Sequence, residues 1–259
     1  MNTELKDLLM GADPVSELWM LVNNGEIVDL EPSLAKLRMP IPKGWHHKDN
    51  LGHTVRVLER AIDREINGPD LVLRTAAVFH DIGKPATRKF PRPGKVTFDG
   101  HEIVGQRMSK NLLDKHGYSE AEIDEIGTLI RLHMRAYGFN DRNWTDSGVR
   151  RLATDAGNLE TLDRLIVVFY SDLTTMNDKK RIKIEDGIKK LEDVLAAVRA
   201  KDERAAMRPA LDGFQVMELT GLPRGRELGT LMKFLNSDEG IALSEDEAME
   251  WVLRTVGKL

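Results

Sequence analysis

Leu51-Gly52-His53-Thr54-Val55-Arg56-Val57-Leu58-Glu59-Arg60-Ala61-Ile62-Asp63-Arg64-Glu65-Ile66 is the stretch that decides the fold class. Its large aliphatic residues Leu51, Val55, Leu58, Ile62 and Ile66 recur at helical spacing and so share one helix face. The same stepping recurs in Ile184, Ile188, Leu191, Leu195 and Val198, and again in Leu159, Leu162, Leu165, Ile166, Phe169 and Leu173. Leu71–Phe79 is a further apolar helix. Ser119 with Glu122, and Ser244 with Glu247, are capping boxes that open two more. Gly100, Gly117, Gly157 and Gly213 stand where helices start or stop.

The β signal is thin. Pro93-Gly94 is a turn dipeptide between Arg88–Pro91 and Lys95–Phe98, which supports one short hairpin at most. No repeat and no low-complexity stretch appears. Arg199–Gly213, charged and interrupted by proline, reads as a linker. The expectation is an all-α body to about residue 200, followed by a small helical C-terminal extension.

The 259 residues are 41% hydrophobic and 31% charged, a globular composition that argues against disorder and against a membrane protein. No apolar run approaches the roughly 20 residues of a membrane span. Met1–Leu9 is polar and mixed in charge, unlike a signal peptide, so the cytoplasm is the expected compartment. Cysteine is absent, which excludes disulfides, zinc fingers, iron–sulfur clusters and thiol nucleophiles. A metal would have to be held by His, Asp or Glu. The net charge of −4 gives no global footprint for nucleic acid, but it hides local asymmetry. Lys84, Arg88, Lys89, Arg92 and Lys95 occur in a stretch without an acidic residue, Lys179–Arg208 is mainly basic, and Phe234–Leu259 is mainly acidic.

Chemistry centres on His80-Asp81, which ends the Leu71–Phe79 helix and leads into Ile82-Gly83-Lys84-Pro85. Alone, such a pair is more often a capped helix end than a ligand set. Others join it. His53 borders the Val57 and Ala61 stripe. His133 follows Leu129 and Ile130 on an apolar face, and His101 opens the helix after Gly100. Asp172 lies along the stripe of Leu165 and Phe169, where a carboxylate is costly unless it is paired or metal-bound. Each taken singly is more often a satisfied core polar residue. Together they would each need a separate partner, whereas convergence on metal satisfies them all.

His53, His80-Asp81 and Asp172 resemble the H…HD…D signature of the HD superfamily of metal-dependent phosphohydrolases. The likeness extends further. Glu31-Pro32-Ser33-Leu34, Gly52-His53-Thr54, His80-Asp81-Ile82-Gly83-Lys84-Pro85, Gly100-His101-Glu102, Leu132-His133-Met134-Arg135, Trp144-Thr145-Asp146-Ser147 and Ser171-Asp172-Leu173-Thr174-Thr175 resemble the C-terminal body of bacterial CCA-adding tRNA nucleotidyltransferases. The resemblance covers roughly residues 4 to 255. It implies a neck-like helical segment over 1–45, an HD metal-binding domain over 46–200, and a helical extension over 201–259. The paired aspartates of that family's nucleotidyltransferase head are not found, since no two aspartates in this chain are separated by one residue. Glu185-Asp186 is not followed by the arginine of the family's nucleotide-selection motif. CCA addition by this chain alone is therefore not expected. Patterns of ppGpp hydrolases and of HD-GYP proteins fit less well.

The resemblance implies a first metal on His53, His80, Asp81 and Asp172, and a second completed by His101 and His133 with Asp81 bridging. One or two divalent ions are expected, with Mn, Fe, Co, Ni or Zn suited to the His-rich set better than Mg. Asp81 and Lys84 are the expected catalytic residues, and Lys84, Arg88 and Arg135 the expected substrate contacts. His46 and His116 read as surface, and His47 matches no ligand spacing. The expected activity is hydrolysis of nucleotide or RNA phosphoesters, such as 2′,3′-cyclic or terminal phosphates. The alternative is a non-catalytic tRNA- or RNA-binding module, working with a separate nucleotidyltransferase.

Overall fold

A computed structural model of the chain describes residues 4–40, 49–135, 144–175 and 177–257. Helices α1 (Glu4–Leu9), α2 (Pro14–Asn24), α3 (Ile27–Leu30) and α4 (Pro32–Ala35) come first. They are followed by α5 (Asn50–Ile62), α6 (Leu71–Phe79) and α7 (Lys84–Thr87). Strands β1 (Lys89–Arg92) and β2 (Lys95–Thr97) then precede α8 (His101–Lys115), α9 (Glu120–Leu132), α10 (Asp146–Ala156), α11 (Leu159–Asp172) and α12 (Asp178–Ala206). Four helices close the chain: α13 (Gly213–Thr220), α14 (Arg226–Leu235), α15 (Asp238–Ile241) and α16 (Glu245–Thr255). Among the described residues the fold is all-α with one antiparallel hairpin, in which Lys89 faces Thr97 and Arg92 faces Lys95. No helix among the described residues is long and apolar enough to cross a membrane.

Local chemistry sets the helix starts. Asp49 accepts from the Leu51 N–H at the head of α5, and Asp70 accepts from the Leu73 N–H at the head of α6. Capping boxes open α9 (Ser119, Glu122) and α16 (Ser244, Glu247), as the sequence predicts. Such caps are worth about 1 kcal/mol each. A third box, Asp212 with Gln215, opens α13.

The chain divides into compact units at 1–195 and 196–259. In the first, α5, α6, α9 and α11 pack against one another, and α8 packs on α9. Their stripes meet in a core that includes Val55, Leu58, Phe79, Ile126, Leu165 and Phe169. Leu5, Leu18 and Leu34 of the N-terminal helices belong to the same core. Full burial of each large apolar side chain there contributes about 1.5–3 kcal/mol. The second unit has its own smaller core of Leu211, Val216, Leu231, Leu235, Ala248 and Val252.

Two sequence expectations are corrected. Ile66 does not continue the stripe of α5: the helix ends at Ile62, and Ile66 is 92% exposed ahead of the Gly68-Pro69 break. The first half of Arg199–Gly213 is helix and not linker, because α12 runs to Ala206 and the division between the units falls within it. Charge alone does not break a helix built from Ala, Lys, Glu and Arg.

Candidate metal centre

Five helix ends deliver the polar residues. The first turn of α5 carries His53, and His80 caps the end of α6, with Asp81 next in the chain. The turn after Asp81 lies directly on the start of α8. A Cβ at Gly83 would stand 2.1 Å from the His101 carbonyl oxygen, so only glycine permits that approach. Gly100 admits the chain into α8 with φ +80°, where His101 is the first helical residue. His133 caps α9, and Asp172 is the last residue of α11.

The acceptor atoms of these residues face one another. His53 Nε2 and His80 Nε2 are 3.3 Å apart. Asp172 Oδ1 lies 3.0 Å from His53 Nε2 and 3.6 Å from His80 Nε2. Asp81 Oδ2 lies 3.2 Å from His80 Nε2 and 3.6 Å from His53 Nε2. The other oxygen of Asp81 turns to a second pair: Oδ1 is 3.3 Å from His101 Nε2 and 3.8 Å from His133 Nε2, and those two nitrogens are 3.1 Å apart. Atoms at about 2.1 Å from one ion stand about 3.0 Å apart at octahedral angles and about 3.4 Å apart at tetrahedral ones. The observed spacings fit two such groups sharing Asp81. Both groups, His53/His80/Asp81 and Asp81/His101/His133, are fully buried sets able to hold a metal ion.

The opposite edge of each ring fixes its orientation. Nδ1 of His80, His101 and His133 lies 2.8, 2.9 and 2.6 Å from the carbonyl oxygens of Ala77, Phe98 and Ile130. A carbonyl only accepts, so each Nδ1 carries the proton and each Nε2 of a neutral ring presents a lone pair. His53 Nδ1 meets the Thr174 hydroxyl at 2.9 Å. Facing lone pairs on His101 and His133 repel unless a cation or a proton on one ring stands between them. Burial, followed by the charge on His80, pushes His133 down to about 3, so that ring does not supply the proton. Burial also lowers His53. Burial opposes charge on His80 as well, but the Asp81 and Asp172 carboxylates outweigh it and push it up to about 10. Burial likewise works against both carboxylates; His80 and Lys84 hold Asp81 well below the usual range, and His53 and His80 do so for Asp172. The carboxylates thus draw positive charge into the cluster, held by His80 and Lys84, and its N- and O-donor set suits a divalent transition metal.

A cavity of about 660 Å³ opens over the cluster. His53, Asp81, His101 and Asp172 line it, together with Lys84 and Lys180. The Lys84 ammonium is hydrogen-bonded to Asp81 Oδ2 and is 18% exposed. Arg88 and Arg135 do not line this cavity. Arg88 donates to the Pro40 carbonyl and lies 4.8 Å over the Phe90 ring, and Arg135 pairs with Asp155 at 2.8 Å. His116 is corrected from surface to core: it is 4% exposed and meets Glu31 at 3.0 Å. His46 and His47 lie outside the described residues. In sequence, Thr174 and Lys180 belong only to a matching motif and a basic run; the return of the chain after α11 is what places them at the site.

An all-α bundle whose helix ends gather histidines and aspartates around a shared carboxylate is the architecture of a class, the HD domain. The HD domain matches residues 50–198, more than half of the chain, and the chain belongs to that family. Its relatives include an A-adding tRNA nucleotidyltransferase of Deinococcus radiodurans, 29% identical over 90% of this chain and 52% of the relative. A CC-adding tRNA nucleotidyltransferase of Thermus thermophilus is 30% identical over 96% of this chain and 55% of the relative. A bifunctional uridylyltransferase/uridylyl-removing enzyme of Streptomyces coelicolor is 25% identical over 83% of this chain and 27% of the relative. The chain is thus homologous to tRNA nucleotidyltransferases and spans about half the length of those it matches.

Proposed function

We propose that this chain is a metal-dependent phosphohydrolase acting on nucleotide or RNA phosphoesters, with 2′,3′-cyclic and terminal phosphates the favoured bonds. The observation that carries the reading is Asp81 shared between two buried histidine groups beneath an open cavity. His53, His80, Asp81 and Asp172 would hold one cation, and His101 and His133 with Asp81 a second. A divalent cation there supplies Lewis acidity and lowers the pKa of water from 15.7 to about 7. Ala77, Phe98 and Ile130 hold three of the imidazoles in one tautomer through their carbonyls, and Thr174 orients the fourth. Lys84, fixed beside Asp81 on the cavity wall, is placed to neutralise a phosphate oxygen.

The test is a panel of bis(p-nitrophenyl) phosphate, 2′,3′-cyclic nucleotides and 3′-phosphorylated RNA, with Mn, Co, Ni and Mg each supplied. Turnover that needs a transition metal and is lost with a chelator is expected. Lys84→Ala should lower kcat by about tenfold to a thousandfold. A second reading, an RNA-binding module without hydrolysis, is favoured by the names of the two tRNA nucleotidyltransferases matched over nine-tenths of this chain or more. Salt-sensitive tRNA binding with no turnover on any substrate would establish that reading instead.

A further inference from the structure

The hairpin β1–β2 is an exposed element that reaches both solvent and the cavity. Its inner end, Val96 to Phe98, lines the cavity, and the Phe98 carbonyl accepts from both the backbone and Nδ1 of His101. Its outer part holds Lys89, Phe90, Arg92 and Lys95, all exposed or partly so. From Lys84 to Phe98 there is no acidic residue. Arg92 and Lys95 stand directly opposite each other across the ladder, a like-charge pairing that costs stability in a hairpin already marginal as two strands. Phe90 is 50% exposed with the Arg88 guanidinium over its ring. Edge strands are often blunted with charge and proline, and Pro91 fits that use. Blunting, however, requires neither charges of a single sign nor an exposed aromatic ring among them. Lys180, at the head of α12, adds a further cation to the cavity lining.

Cations interleaved with an exposed aromatic match a single-stranded polynucleotide, which offers phosphates and base faces in alternation. We propose that the hairpin is a docking arm for single-stranded RNA: Lys89, Arg92 and Lys95 contact backbone phosphates, Phe90 stacks on a base, and the strand end is delivered to the cavity. This rests on the phosphohydrolase reading for the fate of the strand end, and it narrows the substrate from a free nucleotide to the end of a longer RNA. An anionic lipid surface would attract the same charges but leaves unused the continuity between the arm and the cavity.

The experiment uses the full chain carrying Lys89→Ser, Arg92→Ser and Lys95→Ser together, and separately Phe90→Ala. Binding of a fluorescein-labelled single-stranded oligoribonucleotide is read by anisotropy over a salt series. Turnover is compared between a 2′,3′-cyclic mononucleotide and an oligoribonucleotide ending in the same group. The triple variant should lose most RNA affinity, with the slope of log K against log salt shallower by about 2, since each phosphate contact contributes about 0.7 for single strands. Phe90→Ala should weaken binding about tenfold with the slope unchanged. Turnover of the mononucleotide should be retained while that of the oligomer falls. Equal effects on both substrates, or unchanged RNA affinity, would overturn the proposal. So would loss of binding to phosphatidylserine vesicles with RNA binding intact. If wild type hydrolyses nothing yet the triple variant loses RNA binding, the phosphohydrolase reading fails and the docking arm stands.

Discussion

Two buried polar clusters of the first unit are built on opposite principles. Around Arg74, Nε and Nη2 each meet a Glu65 carboxylate oxygen at 2.7 Å, and Nη1 donates to the Leu9 carbonyl at 2.6 Å. One cation meets one anion, and three donors meet three acceptors. Around Asp81, four imidazoles and two carboxylates turn acceptor atoms inward to distances of 3.0–3.8 Å. The first cluster is matched as protein, whereas in the second His80 and Lys84 balance the carboxylates and still leave inward-facing acceptors in excess, an arrangement a divalent ion would fill. Polar burial alone therefore does not mark a functional site; a mismatch between donors and acceptors does. His116 with Glu31 falls between these cases, a buried histidine whose Nε2 meets a carboxylate while its Nδ1 has no partner among the described residues.

Breaking each cluster should expose the difference. Arg74→Ala leaves Glu65 buried without its fork and should cost about 3–5 kcal/mol of unfolding free energy by denaturant titration. The protein that remains folded should keep its metal. Loss of metal from the folded fraction would mean that the two clusters are not independent. Thr174→Val should do the reverse. It removes the partner of His53 Nδ1 and should weaken metal affinity about tenfold to a hundredfold in a competition titration, with little change in stability measured without metal.

The smallest effect concerns Glu31. Burial works against its charge, but hydrogen bonds from His116 and Ser33 hold its carboxyl below the ordinary carboxylate value. A carboxyl lowered in the folded state contributes stability above its unfolded pKa of about 4.3, and loses it as pH falls through the folded value. The stability advantage of wild type over Glu31→Gln should therefore be present at pH 6 and shrink below about pH 4. An advantage that stays constant across that range would contradict the assignment.

Most of the helices and the members of the candidate metal cluster are legible in the amino-acid pattern itself. Apolar residues at three- and four-residue steps announce buried helix faces, and polar residues on those faces, His53, His133 and Asp172, draw attention because burial requires a partner. What periodicity lacks is direction across long sequence separations. His116 sits between Lys115 and Gly117 with nothing local to suggest burial, since its partner Glu31 is far back in the chain. Arg88 follows soon after Asp81 in sequence, yet a turn of helix and the start of β1 send it toward Pro40. Ile66 keeps helical spacing with Ile62, but spacing cannot show that the chain turns away at Gly68-Pro69. The contact of Gly83 with His101 joins the two histidine groups and depends on a backbone approach that no side-chain pattern records.

The central claim is that the Asp81 cluster is built around metal. Its most direct test is elemental analysis of the full chain purified after growth with transition metals, beside the double variant His80→Ala, Asp81→Ala. The account predicts one or two divalent transition-metal ions per wild-type chain, and near-zero metal in a variant that keeps its helical circular dichroism. A wild type that retains no metal after supplementation, or a double variant with unchanged metal content, would contradict it.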